Sequence, residues 1–184
     1  MINLFYVSIS GNTRAFVKRL CAYAEQQHAK NADAYQINAV EYSESVDVRI
    51  MDQPFFAMVP TYLDGGDGIN NGYKEVMTLD FRDELDAGNT ENLLGIVGSG
   101  NRNFNAQFGL TAKHYARRFN SPVIGLFELR GNDEEAAKIY TAFNQLSKRF
   151  RATWRQARVD PLAYHDQPSR DINCLGFYHA NVVW

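Results

Sequence analysis

Apolar residues along the chain fall into short continuous runs separated by stretches in which they recur every three or four positions. Ile2 to Val7 is the first run, short and flanked by polar residues, as a parallel strand covered on both faces would be. Beyond Ser8-Ile9-Ser10-Gly11-Asn12-Thr13, apolar side chains return at Phe16, Val17, Leu20, Tyr23 and Ala24, which is helical spacing. Asn12 or Thr13 suits the N-cap of that helix. Tyr35 to Val40 alternates like a second strand, and Phe55 to Val59 forms a third between Pro54 and Pro60. Leu93 to Val97 and Pro122 to Phe127 are the fourth and fifth. The segment from about Tyr73 to Leu85 holds a helix of poor period. Helical spacing is clearer through Phe108, Ala112, Tyr115 and Phe119, and again through Ile139, Phe143, Leu146, Phe150 and Trp154. The last helix reaches about Arg158, before Pro161.

Strands alternating with helices predict an α/β chain: a doubly wound, five-stranded parallel sheet with helices on both faces, plus a C-terminal extension. The domain is expected over residues 1–158. Residues 159–184 form an extension of unknown role, polar at first and apolar toward Trp184.

Composition narrows the possible functions. Nineteen basic and 21 acidic residues leave a net charge of -2, which argues against binding nucleic acid by bulk electrostatics. No apolar run approaches the ~20 residues that span a bilayer, and the amino end has no secretory pattern. Cys21 and Cys174 are far apart and suit reduced thiols in a cytoplasmic protein. The four histidines show no ligand spacing, so no metal site is expected.

Three loops leave the carboxyl ends of strands, where open parallel sheets bind their ligands. In the first, Ser8, Ser10, Asn12 and Thr13 offer hydroxyls and an amide, and Gly11 permits a tight turn. With the N–H groups and positive end of the following helix, that set suits a phosphate dianion. The loop has no lysine and no triple-glycine spacing, which excludes a triphosphate loop and a dinucleotide fingerprint. Read alone, it fits a plain capped helix start equally well. The second loop, Thr61 to Gly72, contains Tyr62 beside the Gly65-Gly66 pair. The third runs from Gly98 to Phe104 with Ser99, Asn101 and Asn103. Aromatic rings next to bare backbone suit a flat heteroaromatic ring, and the ring-bearing monophosphate that fits is FMN.

Ser8 to Thr13 resembles the flavodoxin phosphate loop. Pro60 to Gly66, and above all Gly98-Ser99-Gly100-Asn101-Arg102-Asn103-Phe104, resemble the NrdI family of flavodoxin-like proteins, as does Phe127-Glu128-Leu129-Arg130-Gly131. The resemblance covers about Ile2 to Leu146 and assigns no role to the extension. It implies a redox protein whose reduced FMN reacts with O2. The superoxide or peroxide formed goes to the dimanganese, radical-bearing small subunit of class Ib ribonucleotide reductase. An upstream flavin reductant supplies the electrons, and no side chain acts as catalytic acid or base. The resemblance also implies cofactor contacts from Ser8, Ser10, Gly11, Asn12, Thr13, Thr61, Tyr62, Gly65, Gly66, Gly98, Ser99, Asn101, Asn103 and Phe104.

Two further functions fit the residues: a general electron-transfer flavodoxin, and a cofactor-free docking protein of the same fold. Individual residues also admit two readings. Gly65 and Gly66 are plain turn glycines, or they give a peptide beside the flavin N5 freedom to rotate. Arg102 pairs with a surface carboxylate or meets the reductase. The basic run Lys148, Arg149, Arg151, Arg155 and Arg158 is a solvated helix face or a docking patch.

Overall fold

The computed structural model describes residues 1–43, 48–64, 74–88 and 90–159, with side chains as far as residue 152. The chain divides into two units, Met1–Ser147 and Lys148–Trp184. The first unit carries the sheet. Its strands are β1 (Ile2–Tyr6), β2 (Ile37–Glu41), β3 (Phe55–Pro60), β6 (Leu93–Gly100) and β7 (Val123–Glu128), and a short ribbon adds β4 (Leu63–Asp64) and β5 (Lys74–Glu75). The helices are α1 (Asn12–Lys30), α2 (Leu79–Ala87), α3 (Leu110–Arg118) and α4 (Asp133–Val159).

The strands lie in the order β2-β1-β3-β6-β7, and every pairing is parallel. This is the expected doubly wound five-stranded sheet. Every residue of β3 is buried, which accounts for its unbroken apolar run. One face carries α1 and the first part of α4, with Phe16, Val17 and Leu20 packed among Ile139, Tyr140 and Phe143. The other face carries α2, α3 and the 3-10 turn Val48–Asp52, which contribute Phe81, Leu85, Ala112, Tyr115 and Met51. The aromatic content of the sequence is spent largely here: Phe16 stacks on Phe127 at 3.8 Å and Phe56 on Phe143 at 4.1 Å between ring centroids.

Two local features differ from the sequence expectation. The segment from Tyr73 to Leu85 lacks a clear period because it contains two kinds of structure: β5 at Lys74–Glu75, then α2 from Leu79. Its strand residues pair antiparallel with Leu63 and Asp64, bracketing residues 65–73. Helix α1 is capped by Gly11, not by Asn12 or Thr13. Gly11 sits at φ 82°, a left-handed turn that a side chain would strain, and this turn brings the chain from β1 directly into the helix. Among the described residues, no helix is long and apolar enough to cross a membrane.

Candidate functional site

The strand order reverses at β1, whose neighbours are β2 on one side and β3 on the other. The carboxyl ends of β1 and β3 therefore release diverging loops, and ligands of doubly wound sheets bind at such a point. A cleft of about 290 Å³ opens there. Ser10, Asn12 and Thr13 come from the first loop and the first turn of α1, Pro60 to Leu63 from the end of β3, and Ser99, Gly100, Asn101, Phe104 and Gln107 from the end of β6 and the turn after it. Leu129 completes the lining.

Twelve residues from three separated segments, with Leu129, thus lie at one edge, and most of their polar groups have defined tasks. The Arg14 N–H, third in the helix, donates to Ser8 Oγ at 3.1 Å. That bond spends Ser8 on the loop itself. The Ala15 N–H returns to the Gly11 carbonyl at 3.0 Å. The N–H groups of Asn12 and Thr13, earlier in the turn, have no acceptor among the described residues and stand at the positive end of α1. Tyr62 Oη donates to Ser10 Oγ at 2.7 Å, tying the second loop to the first. In the third loop, Asn101 Oδ1 accepts from the Asn103 N–H at 2.9 Å and closes an Asx turn. Thr61 Oγ1 is buried at the cleft wall and has no hydrogen-bond partner among the described residues. A buried hydroxyl without a partner costs free energy, so this atom marks a place for a polar ligand group.

Arg14, next to Thr13, carries the nearest charge to that loop on α1, but it is already committed. Its Nε donates to Glu41 Oε2 at 2.7 Å, and a second guanidinium nitrogen bonds Oε1. Tyr6 Oη donates to the same carboxylate at 2.9 Å. The Arg14 hydrogen bonds hold the Glu41 carboxyl below the usual range, and Tyr6 adds to the effect while partial burial opposes it. The Tyr6 hydroxyl is pushed up to about 12, first by burial and then by its bond to Glu41. Arg102 pairs with a surface carboxylate, Glu128 at 3.5 Å, and lies over the Phe108 ring at 4.8 Å.

Of the residues expected at the site, Ser10, Asn12, Thr13, Thr61, Tyr62, Ser99, Asn101 and Phe104 line the cleft. Four do not line it: Ser8 accepts from Arg14, Gly11 forms the turn, Asn103 bonds Asn101, and Gly98 faces Ala112 and Leu126. Gly65 and Gly66 lie outside the described residues. Pro60, Leu63, Gly100, Gln107 and Leu129 line the cleft as well and were not singled out from the sequence. A second cleft, about 540 Å³, opens alongside, lined by Arg102, Glu128, Arg130, Gly131, Asn132 and Glu135. Asn12 and Leu129 line both.

The NrdI flavodoxin-like family matches residues 4–141, which takes in all of this edge. The chain belongs to the NrdI flavodoxin-like family. An NrdI-like protein of Streptococcus pyogenes serotype M3 is 40% identical over 149 residues, covering 80% of this chain and 91% of that one. One from Streptococcus pneumoniae strain R6 is 44% identical over 136 residues, covering 73% and 86%. Protein NrdI of Rhizobium etli is 33% identical over 136 residues, covering 74% and 87%. Among solved structures, a short-chain flavodoxin superimposes with a TM-score of 0.57 at 18% identity, over 80% of this chain and 96% of that one. The two-electron reduced Megasphaera elsdenii flavodoxin gives 0.51 at 14% identity, over 79% and 99%. At those identities the likeness is one of fold, and it assigns the NrdI-type chain described here to the flavodoxin-like folds.

Proposed function

We propose that residues 1–158 of this chain bind FMN in the 290 Å³ cleft and work in the cytoplasm as the redox activator of a class Ib ribonucleotide reductase. The observation that carries the proposal is the cleft's donor set in a chain of the NrdI family. It combines two N–H groups at a helix start and the Thr61 hydroxyl, all without partners among the described residues, and the Ser10 hydroxyl, with the aromatic side chains of Tyr62 and Phe104 on the same lining. These donors suit a phosphate and a polyhydroxyl chain, and the aromatics suit a flat ring.

When bound, FMN supplies electron transfer and, once reduced, reaction with O2 to superoxide or peroxide. The remaining tasks fall to the chain. Asn12 and Thr13 N–H groups, with Ser10, would hold the phosphate at the end of α1. Thr61 would donate its hydroxyl to the ligand. Tyr62, anchored on Ser10, and Phe104 would flank the ring, and Gly65 and Gly66 are proposed beside its edge. Phe104 is 63% exposed, so a ring held against it would be open to solvent, O2 and the docking face of a partner. The partner proposed is the dimanganese small subunit of the reductase, and an upstream flavin reductant is the proposed electron source.

The test begins with the absorption spectrum of the purified chain titrated with FMN. A flavin spectrum shifted from that of free FMN is expected, and a colourless protein that leaves free FMN unchanged overturns the reading. The reduced complex is then mixed with O2 and the manganese-loaded small subunit, and tyrosyl radical is counted by EPR. Radical dependent on this chain is expected. Radical yield equal to that with free reduced FMN refutes the activator role while leaving FMN binding intact.

A further inference from the structure

The geometry points to Arg130 as a positioning residue that acts through Asn12 and sets the preference of the cleft for phosphorylated over unphosphorylated flavin; this rests on the FMN reading above. Arg14, Arg19, Arg102 and Arg130 belong to this edge of the sheet or to the helices packed at it. Three have carboxylate partners: Arg14 with Glu41, Arg19 with Asp133 and Arg102 with Glu128. Arg130 differs. Its partner among the described residues is a neutral amide, with Nε 3.4 Å from Asn12 Oδ1.

The carboxylates of the neighbouring cleft have donors of their own. Glu128 receives the Arg102 N–H at 3.1 Å together with its guanidinium, and Glu135 receives the N–H groups of Asn132 at 2.9 Å and Glu128 at 3.3 Å. Among the described residues neither carboxylate forms an ion pair with Arg130, whose contact is the one to Asn12.

The contact also fixes the Asn12 amide. Guanidinium nitrogens only donate, so the side facing Arg130 must be the oxygen. The Asn12 NH2 group then faces away from Arg130 and has no acceptor among the described residues. Asn12 lines both clefts, so its amide stands between Arg130 and the loop with the unpartnered N–H groups. A phosphate in that loop gains an oriented amide donor and a nearby full positive charge, in a loop that contains no lysine. An unphosphorylated flavin presents no dianion and gains neither.

The experiment compares FMN with riboflavin on the full chain and on Arg130→Ala, Asn12→Ala and the double variant, by flavin fluorescence at low ionic strength. Arg130→Ala should weaken FMN about tenfold and riboflavin less than about twofold, with the melting temperature of the flavin-free protein unchanged within about 2 °C. Because Arg130 acts through Asn12, the double variant should lose clearly less than the product of the two single losses. An FMN-to-riboflavin ratio equal to that of the unaltered chain, or equal losses for both flavins, overturns the inference while leaving FMN binding standing. Losses that multiply in the double variant overturn the route through Asn12. If the unaltered chain binds neither flavin, the FMN reading falls first and this inference falls with it.

Discussion

Tyr62 Oη lies 2.7 Å from Ser10 Oγ, a hydrogen bond between residues 52 positions apart that joins the loops leaving β1 and β3. The bond orients an aromatic ring by anchoring its far end on the loop that leaves β1. Ser10 is exposed and Tyr62 half-buried, and the bond between them is open to solvent, so it contributes little to folding.

Tyr62→Phe should therefore leave the melting temperature within about 2 °C of the unaltered chain while weakening FMN by roughly threefold to tenfold, since the ring stays but loses its anchor. Ser10→Ala should weaken it further, because that hydroxyl also belongs to the proposed phosphate cradle. Isothermal titration of the two variants and their combination would show a coupling between them. Fully independent effects would mean the contact does not organise the site.

Thr61 offers a test in which stability and binding move in opposite directions. Its Oγ1 is buried without a partner among the described residues, so Thr61→Val removes an unsatisfied hydroxyl at nearly constant volume. The flavin-free protein should be as stable as before, or more stable by up to about 1 kcal/mol in urea unfolding. FMN affinity should fall about tenfold. A variant that loses stability would show that the hydroxyl already has a partner in solution.

The Arg14–Glu41–Tyr6 cluster predicts both limbs of the stability profile. The Glu41 carboxyl is lowered in the folded chain, chiefly by the Arg14 hydrogen bonds. Its contribution is fully present above the unfolded glutamate value of about 4.3, and it fades as pH falls below that through the lowered folded value. Tyr6 has the opposite sign. Its hydroxyl is raised from 10.0 to about 12, so its contribution holds below pH 10 and is lost as pH climbs from there through 12. Urea unfolding from pH 3 to 11 should show Glu41→Gln flattening the acid limb and Tyr6→Phe flattening the alkaline one. A Glu41→Gln profile parallel to the unaltered one below pH 4 would sink the assignment.

Gly131 tests the wall behind the neighbouring cleft. It follows β7 at φ 59°, and a Cβ there would lie 2.3 Å from Cδ2 of Phe16, a fully buried ring stacked on Phe127. Gly131→Ala combines a left-handed backbone with overpacking of an immovable ring, a cost of about 2–4 kcal/mol. The melting temperature should drop by roughly 5–15 °C. A drop below about 2 °C would mean that the turn relaxes away from Phe16.

What could be read from the sequence was what is encoded locally. The unbroken apolar run of β3 reports burial on both faces, and the Ser8 to Thr13 loop reports its own turn through Gly11. Ser8 was expected as a cofactor contact, whereas in the structure it accepts from the Arg14 N–H, a bond spanning six positions and beyond the range of capping patterns. The ribbon β4–β5 escaped notice because strands of two residues have no period to detect. Leu129 and Gln107 escaped for a different reason. Leu129 reaches the cleft because its N–H bonds the Gly100 carbonyl at 2.9 Å, a pairing set by the register of β7 on β6. Its φ of 50° is one that residue type would assign to glycine or asparagine, so no composition rule points to a leucine there.

That leucine has a mechanical consequence. Its half-exposed side chain is a party wall, with the smaller cleft on one side and the larger, arginine-lined one on the other. A molecule held against Leu129 on the Arg130 side would touch the same side chain that lines the Tyr62 side, so the two clefts share a contact.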